Sequence, residues 1–96
     1  MNTLGVAYYR LGQYDKAVQA FEEVGKLNAA GPTAWDYFFL AMCYQRLGEP
    51  DKARDFYVKA TQWWSRQPQL RPDKVEELTS FRAEADALLL QPRGKR

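Results

Sequence analysis

Apolar residues recur along this chain at spacings of three and four, which is the period of an α-helix, and no segment alternates with the two-residue period of a strand. The first two apolar stripes are Leu4, Ala7, Tyr8 and Leu11, then Ala17, Ala20, Phe21 and Val24. The second helix is predicted to start near Asp15, so only Gly12–Tyr14 connects the two helices. Because so short a connection forces neighbouring helices to run in opposite directions, the sequence predicts an antiparallel helical hairpin.

The second half of the chain repeats this design and adds one more helix. Thr33 followed by Asp36, and Asp73 followed by Glu76, are capping pairs that predict the starts of a third and a fifth helix, while Pro50 suits the first turn of a fourth. The stripe predicted for the fifth helix is Val75, Leu78, Phe81, Arg82, Ala85, Leu88 and Leu89. The pattern therefore predicts an all-α fold of two hairpins and a terminal helix.

The two hairpins are also alike residue by residue. At an offset of 36, eight positions are identical: Leu4/Leu40, Tyr8/Tyr44, Arg10/Arg46, Leu11/Leu47, Gly12/Gly48, Asp15/Asp51, Lys16/Lys52 and Ala17/Ala53. A period of this length is typical of units that bury their apolar faces by stacking on one another. The chain is therefore expected to form a short stack of repeats.

The repeated motif carries a resemblance to a known family. Leu4-Gly5-x-x-Tyr8 with Ala17-x-x-x-Phe21, and Leu40-Ala41-x-x-Tyr44 with Ala53-x-x-x-Tyr57, resemble the tetratricopeptide repeat. The resemblance implies an α-solenoid with residues 1–90 as its domain. Repeat one would span about 1–32 and repeat two about 33–68, with a capping helix at about 73–90 and a flexible basic tail at 91–96.

Composition limits which classes of partner and which cellular compartment are expected. Apolar residues make up 46% and charged residues 27%, as in an ordinary globular protein. The formal charge is +2, but Arg93, Lys95 and Arg96 lie in the tail, so the rest of the chain carries about −1 and is not a basic nucleic-acid surface. No apolar run approaches the roughly 20 residues of a membrane span. With Cys43 as its single cysteine, the chain is predicted to be cytoplasmic, with no nucleic acid or membrane as a partner.

Catalytic chemistry has little support in the sequence. Histidine, the commonest general base and metal ligand near neutral pH, is absent. Cys43 takes the repeat position of Ala7, which indicates a small core residue rather than a nucleophile. Glycines occur singly, so no phosphate-binding loop is predicted. We therefore expect no enzyme, no cofactor and no metal site.

The third helix carries a second apolar stripe that indicates a binding surface. In tetratricopeptide folds the first helix of each hairpin lines a concave groove, and the resemblance places this stripe there. The predicted groove residues are Val6, Tyr9, Arg10, Trp35, Phe38, Phe39, Met42 and Arg46. Either Phe38 or Phe39 could instead pack under a neighbouring helix, but burial of both is disfavoured because their directions differ by about 100°.

Two functions remain open at this level. The first is a non-enzymatic protein-interaction module that binds a peptide segment of another protein in the concave groove. The alternative is an assembly element, a fragment of a longer repeat array that stacks on identical chains or on further repeats. Two repeats fall short of the three or so that usually give independent stability, which favours the alternative.

Overall fold

A computed structural model describes residues 3–27, 33–67 and 69–89 of the chain, and within them every regular element is a helix. The elements are α1 (Thr3–Arg10), α2 (Tyr14–Leu27), α3 (Ala34–Arg46), α4 (Pro50–Ser65) and α5 (Pro72–Leu89). The predicted tail at 91–96 lies outside the described residues. The all-α prediction is confirmed.

The two hairpin turns are built in the same way. Gly12 and Gly48 have φ angles of 81° and 82°, in the left-handed region that costs glycine nothing. After each glycine, a backbone N–H reaches back to a tyrosine carbonyl, from Gln13 to Tyr8 and from Glu49 to Tyr44, both at 2.9 Å. These bonds satisfy carbonyls at the ends of α1 and α3. The repeat seen in the sequence is therefore a repeat of backbone geometry.

The predicted helix starts are right for α3 and displaced for α5. The backbone N–H of Thr33 donates to Asp36 Oδ2 at 3.1 Å, as a capping pair should. In contrast, α5 begins at Pro72, whose fixed φ suits a first helical position. Asp73 therefore lies inside the first turn of α5, where its negative charge faces the positive end of the helix dipole, and it does not cap the helix.

Close contact inside each hairpin depends on small residues. A Cβ on Gly5 would lie 2.7 Å from Cε2 of Phe21, so α2 can approach α1 only because that atom is missing. Ala17, Ala41 and Ala53 are completely buried in the corresponding contacts. The small positions of the repeat thus set the spacing of the helices.

The last helix lies along α3 and reaches α1. Trp35, in the first turn of α3, hydrogen bonds to Glu77 early in α5, and Phe39, one turn later, packs on Phe81. The two helices therefore run in the same direction. Within α5, Leu78 and Ala85 are fully buried, whereas Val75 is 36% exposed and Arg82 faces solvent. The predicted stripe is thus correct at its centre and too wide at Val75 and Arg82.

Candidate interaction surfaces

The side chains predicted to line an open groove are mostly covered. Phe38, Phe39 and Met42 are fully buried, so the expectation that Phe38 and Phe39 would not both be buried is wrong. The two rings do point in different directions, but each direction meets a helix. Phe38 packs on Tyr57 and Trp64 of α4, at ring-centre distances of 5.7 and 6.5 Å.

Phe39 occupies the other side of α3, where three helices surround it. Its ring stacks on Phe21 of α2 at 5.6 Å, meets Tyr9 of α1 at 5.7 Å, and meets Phe81 of α5 edge-on at 4.9 Å. Such aromatic pairs stabilise a core beyond their buried area alone. Phe39 is therefore the point at which both repeats and the last helix pack together.

Helix α5 lies against several of the predicted groove residues and pairs with them through polar groups as well. Trp35 Nε1 donates to Glu77 Oε1 at 2.7 Å, and the guanidinium of Arg10 binds the Glu84 carboxylate through both nitrogens, the second bond being 3.1 Å. The two-pronged fit of guanidinium to carboxylate fixes orientation as well as distance. Three of the predicted groove residues, Arg10, Trp35 and Phe39, thus lie against a helix of the same chain.

The two equivalent arginines meet at one end of this surface. The hydrogen bonds of Arg10 to Glu84 raise the pKa of Arg10, and the nearby Tyr9 hydroxyl raises the pKa of Arg46. Tyr9 is 7% exposed, and its burial raises the pKa of its hydroxyl above the ordinary value. Val6 is half-buried beside them, against the core. A cationic end of the groove is therefore present, but one carboxylate of α5 already faces it.

A second surface, at the opposite edge of the stack, is uncovered. Leu4 is 58% exposed and Leu11 is 70% exposed, and Ala7 between them faces solvent. Their equivalents in α3 are covered: Leu40 is 2% exposed and Cys43 is completely buried. We call the surface formed by Leu4, Ala7, Tyr8 and Leu11 the open face. Leu4, Ala7 and Leu11 face solvent, whereas Tyr8 is partly buried and packs against the core.

In repeat two, the equivalent face of α3 is covered by the first hairpin. Leu47 lines a shallow pocket together with the turn residues 12–16, and the Tyr44 hydroxyl donates to Glu22 of α2 at 3.4 Å. The side-chain geometry on the two faces also matches, since the Lys16 and Lys52 ammonium groups lie 5.9 and 5.3 Å from the ring centres of Tyr8 and Tyr44. The open face therefore has the form of a stacking surface without its neighbour.

None of the four residues of the open face belongs to the set of groove residues predicted above. The signal that identifies Ala7 and Leu11 was present in the sequence, because the offset of 36 pairs them with Cys43 and Leu47. That pairing shows which residues are equivalent. It does not show which member of each pair has a neighbouring helix, and that determines exposure.

Other chemistry is not supported by the described part of the chain. Burial raises the pKa of the Cys43 thiol to about 12, so the nucleophilic thiolate is scarce at neutral pH. Residues 3–27, 33–67 and 69–89 contain no cluster of three or more histidine, cysteine, aspartate or glutamate side chains arranged to hold a metal ion. Nor does any helix in these ranges have the length and apolar character needed to cross a membrane.

Two stacked hairpins with a 36-residue period and matching turns define an α-helical repeat protein. Models of the tetratricopeptide repeat match residues 1–29 and 37–63, one for each hairpin, and the chain belongs to the tetratricopeptide repeat family. Tetratricopeptide repeats are generally protein–protein interaction modules.

A TPR repeat-containing protein from Methanocaldococcus jannaschii is 40% identical to the chain over 55 residues. The match covers 57% of this chain but only 9% of that relative, so the chain spans less than a tenth of its length. No solved structure matches the chain.

Proposed function

We propose that this chain is a non-enzymatic protein-interaction module that works by stacking, and that its open face is the surface on which another protein docks. One observation carries the proposal: Leu4 is 58% exposed, whereas its equivalent Leu40 is 2% exposed. The same side chain at the same repeat position is thus covered in one repeat and bare in the other.

A partner is expected because binding would remove exposed apolar side chains of the open face from water. Covering Leu4 and Leu11 would remove a contiguous apolar surface from solvent, which favours association by about 25 cal/mol per Å² before the entropy of binding is subtracted. Exposed apolar side chains that adjoin one another commonly mark interaction sites. The absence of histidine and the buried, protonated Cys43 support a non-enzymatic role.

Site-specific photo-crosslinking tests this proposal. A benzoylphenylalanine at Leu11 should crosslink a partner in extract of the source cells, and mass spectrometry should map the linked peptide to one defined segment of that partner. The same amino acid at Val58, an apolar position 43% exposed on α4, is the matched control. Equal crosslinking to the same proteins from both positions would contradict docking at the open face.

A pair of charges tests the same surface by disruption. In the chain that carries the crosslinker at position 11, Leu4→Lys with Ala7→Lys should abolish the crosslink while the helical circular dichroism stays unchanged, because both side chains already face solvent. If the doubly substituted chain keeps its partner, the open face is not the docking surface.

A second candidate function is peptide binding in the concave groove, and the position of α5 favours it. A helix is seated on Trp35, Phe39 and Arg10, so the surface accommodates a helical segment. A partner would have to replace α5. Glu84→Lys, which sets a lysine against Arg10, should then strengthen partner binding, and unchanged binding would count against the groove.

A further inference from the structure

The face of α3 that is equivalent to the open face shows which kind of helix fits such a surface. Two residues of α2, one turn apart, lie on the side that meets α3. Val18 is 9% exposed within the core, and Glu22 accepts the hydrogen bond of Tyr44. An aliphatic residue followed four positions later by a carboxylate is thus the pattern that this chain itself uses.

The open face offers the matching groups. The Tyr8 hydroxyl makes no hydrogen bond with the residues described in the structure, and the Lys16 ammonium group lies 5.9 Å from the centre of its ring. A phenol donor beside a cation favours an approaching carboxylate. In repeat two, Glu22 meets Tyr44 with Lys52 beside it in the same way.

A second copy of the chain does not supply this pattern. At an offset of 36, Arg54 of α4 takes the position of Val18, and Val58 takes the position of Glu22. Stacking α4 on the open face in the same register would bury the Arg54 guanidinium, as Val18 is buried, and would set an apolar side chain against the Tyr8 hydroxyl. A buried charge without a partner is costly, so the two ends of this stack do not fit each other.

We propose that the open face binds the second helix of a helical hairpin from a different protein segment, one with an aliphatic residue and a carboxylate at the positions of Val18 and Glu22. This inference rests on the proposed function and adds the chemistry of the partner. It also excludes head-to-tail stacking of identical chains, because α4 has the wrong residues for it.

A tandem extension provides the probe. Placing an additional copy of residues 1–36 before the complete chain keeps the 36-residue register and lays an α2 sequence over the open face. Because repeats stabilise their neighbours, the extended chain should melt in one transition, roughly 5 °C or more above the original. Amide exchange at Tyr8 and Leu11 of the original segment should become slower.

Two variants of the added copy separate the chemistry from stacking in general. Val18→Arg with Glu22→Val, which copies α4, should remove the gain in melting temperature. Gln19→Arg with Glu23→Val makes the same changes one position along, at exposed sites, and should retain the gain. A gain retained by both variants, or lost from both, would overturn the proposed partner chemistry while leaving stacking at the open face intact.

Two further outcomes address the remaining claims. If the unsubstituted extension gives no gain, the open face does not accept a hairpin and the proposed function fails with it. Sedimentation of the original chain over a wide concentration range should show a monomer. Oligomers that grow with concentration, and that Val58→Lys converts to monomers, would show that identical chains do stack head to tail.

Discussion

The two repeats of this molecule share eight identical positions and the same turns, yet they bury their residues very differently. Leu4 and Leu11 are 58% and 70% exposed in repeat one, while Leu40 is 2% exposed in repeat two. The helices, the glycine turns and the lysine–tyrosine contacts are equivalent in both. The difference arises from the neighbours. Among the described residues, the first hairpin packs on the face of α3 that carries Leu40, whereas no hairpin packs on the face of α1 that carries Leu4.

This comparison separates two kinds of information in a repeat sequence. Residues that shape the hairpin itself, such as Gly12 and Gly48, behave alike in each copy. Residues on the face that can meet another hairpin, such as Leu4 and Leu40, contribute to stability according to what lies beside them. The first kind should respond to substitution equally in both repeats, and the second kind unequally.

The largest contrast should come from the leucine pair. Leu40→Ala should lower the free energy of unfolding by about 2–5 kcal/mol, because it leaves a cavity in a packed core. Leu4→Ala should change it by less than about 0.5 kcal/mol, since that side chain is mostly in water. Urea unfolding of both variants measures the difference. Comparable losses would mean that the open face is covered in solution.

The small residues inside the hairpins should give the next largest contrast. Gly5→Ala should cost about 1–3 kcal/mol, since the new Cβ would lie 2.7 Å from the Phe21 ring. Ala41→Gly, the reverse change at the equivalent site, should cost only about 0.5–1 kcal/mol through backbone entropy. Chemical denaturation measures both, and a neutral Gly5→Ala would show that α2 can move away from α1 freely.

Substitution of the turn glycines should destabilise the two repeats equally. Gly12→Ala and Gly48→Ala each force a side chain into the left-handed region, at roughly 1–2 kcal/mol. Nothing lies within 4 Å of the added carbon in either turn, so the two costs should agree. Thermal melting of the two variants provides the test, and unequal losses would show that turn conformation depends on the surroundings.

The smallest effect should come from the buried cysteine of repeat two at alkaline pH. Burial raises the pKa of Cys43 to about 12, so the folded chain keeps a proton that the unfolded chain loses above about pH 9. Stability should therefore fall as the pH rises, by roughly 1 kcal/mol at pH 10. Cys43→Ala, which restores the residue of repeat one, should lessen the dependence of the unfolding free energy on pH. An unchanged pH slope in Cys43→Ala would exclude this origin.

Periodicity and capping residues were sufficient to predict five helices, both hairpin turns and the family. They failed at Phe38 and Phe39, because a helical wheel gives the direction of a side chain but not the helices that stand in that direction. The position of α5 over the concave side depends on long-range pairs such as Arg10 with Glu84 and Trp35 with Glu77. No local pattern encodes such pairs. For the open face, the sequence showed which residues of the two repeats are equivalent, but not which of them are exposed.

The pairing of Arg10 with Glu84 joins residues 74 positions apart, in the first and last helices. A linear array of repeats can lose its terminal units one at a time, since each unit touches only its neighbours. Here the last helix is attached to the first, and Phe39 lies between them in contact with both repeats. Fraying of either end must then disturb the other, so the chain should unfold as one cooperative unit rather than from its ends inward.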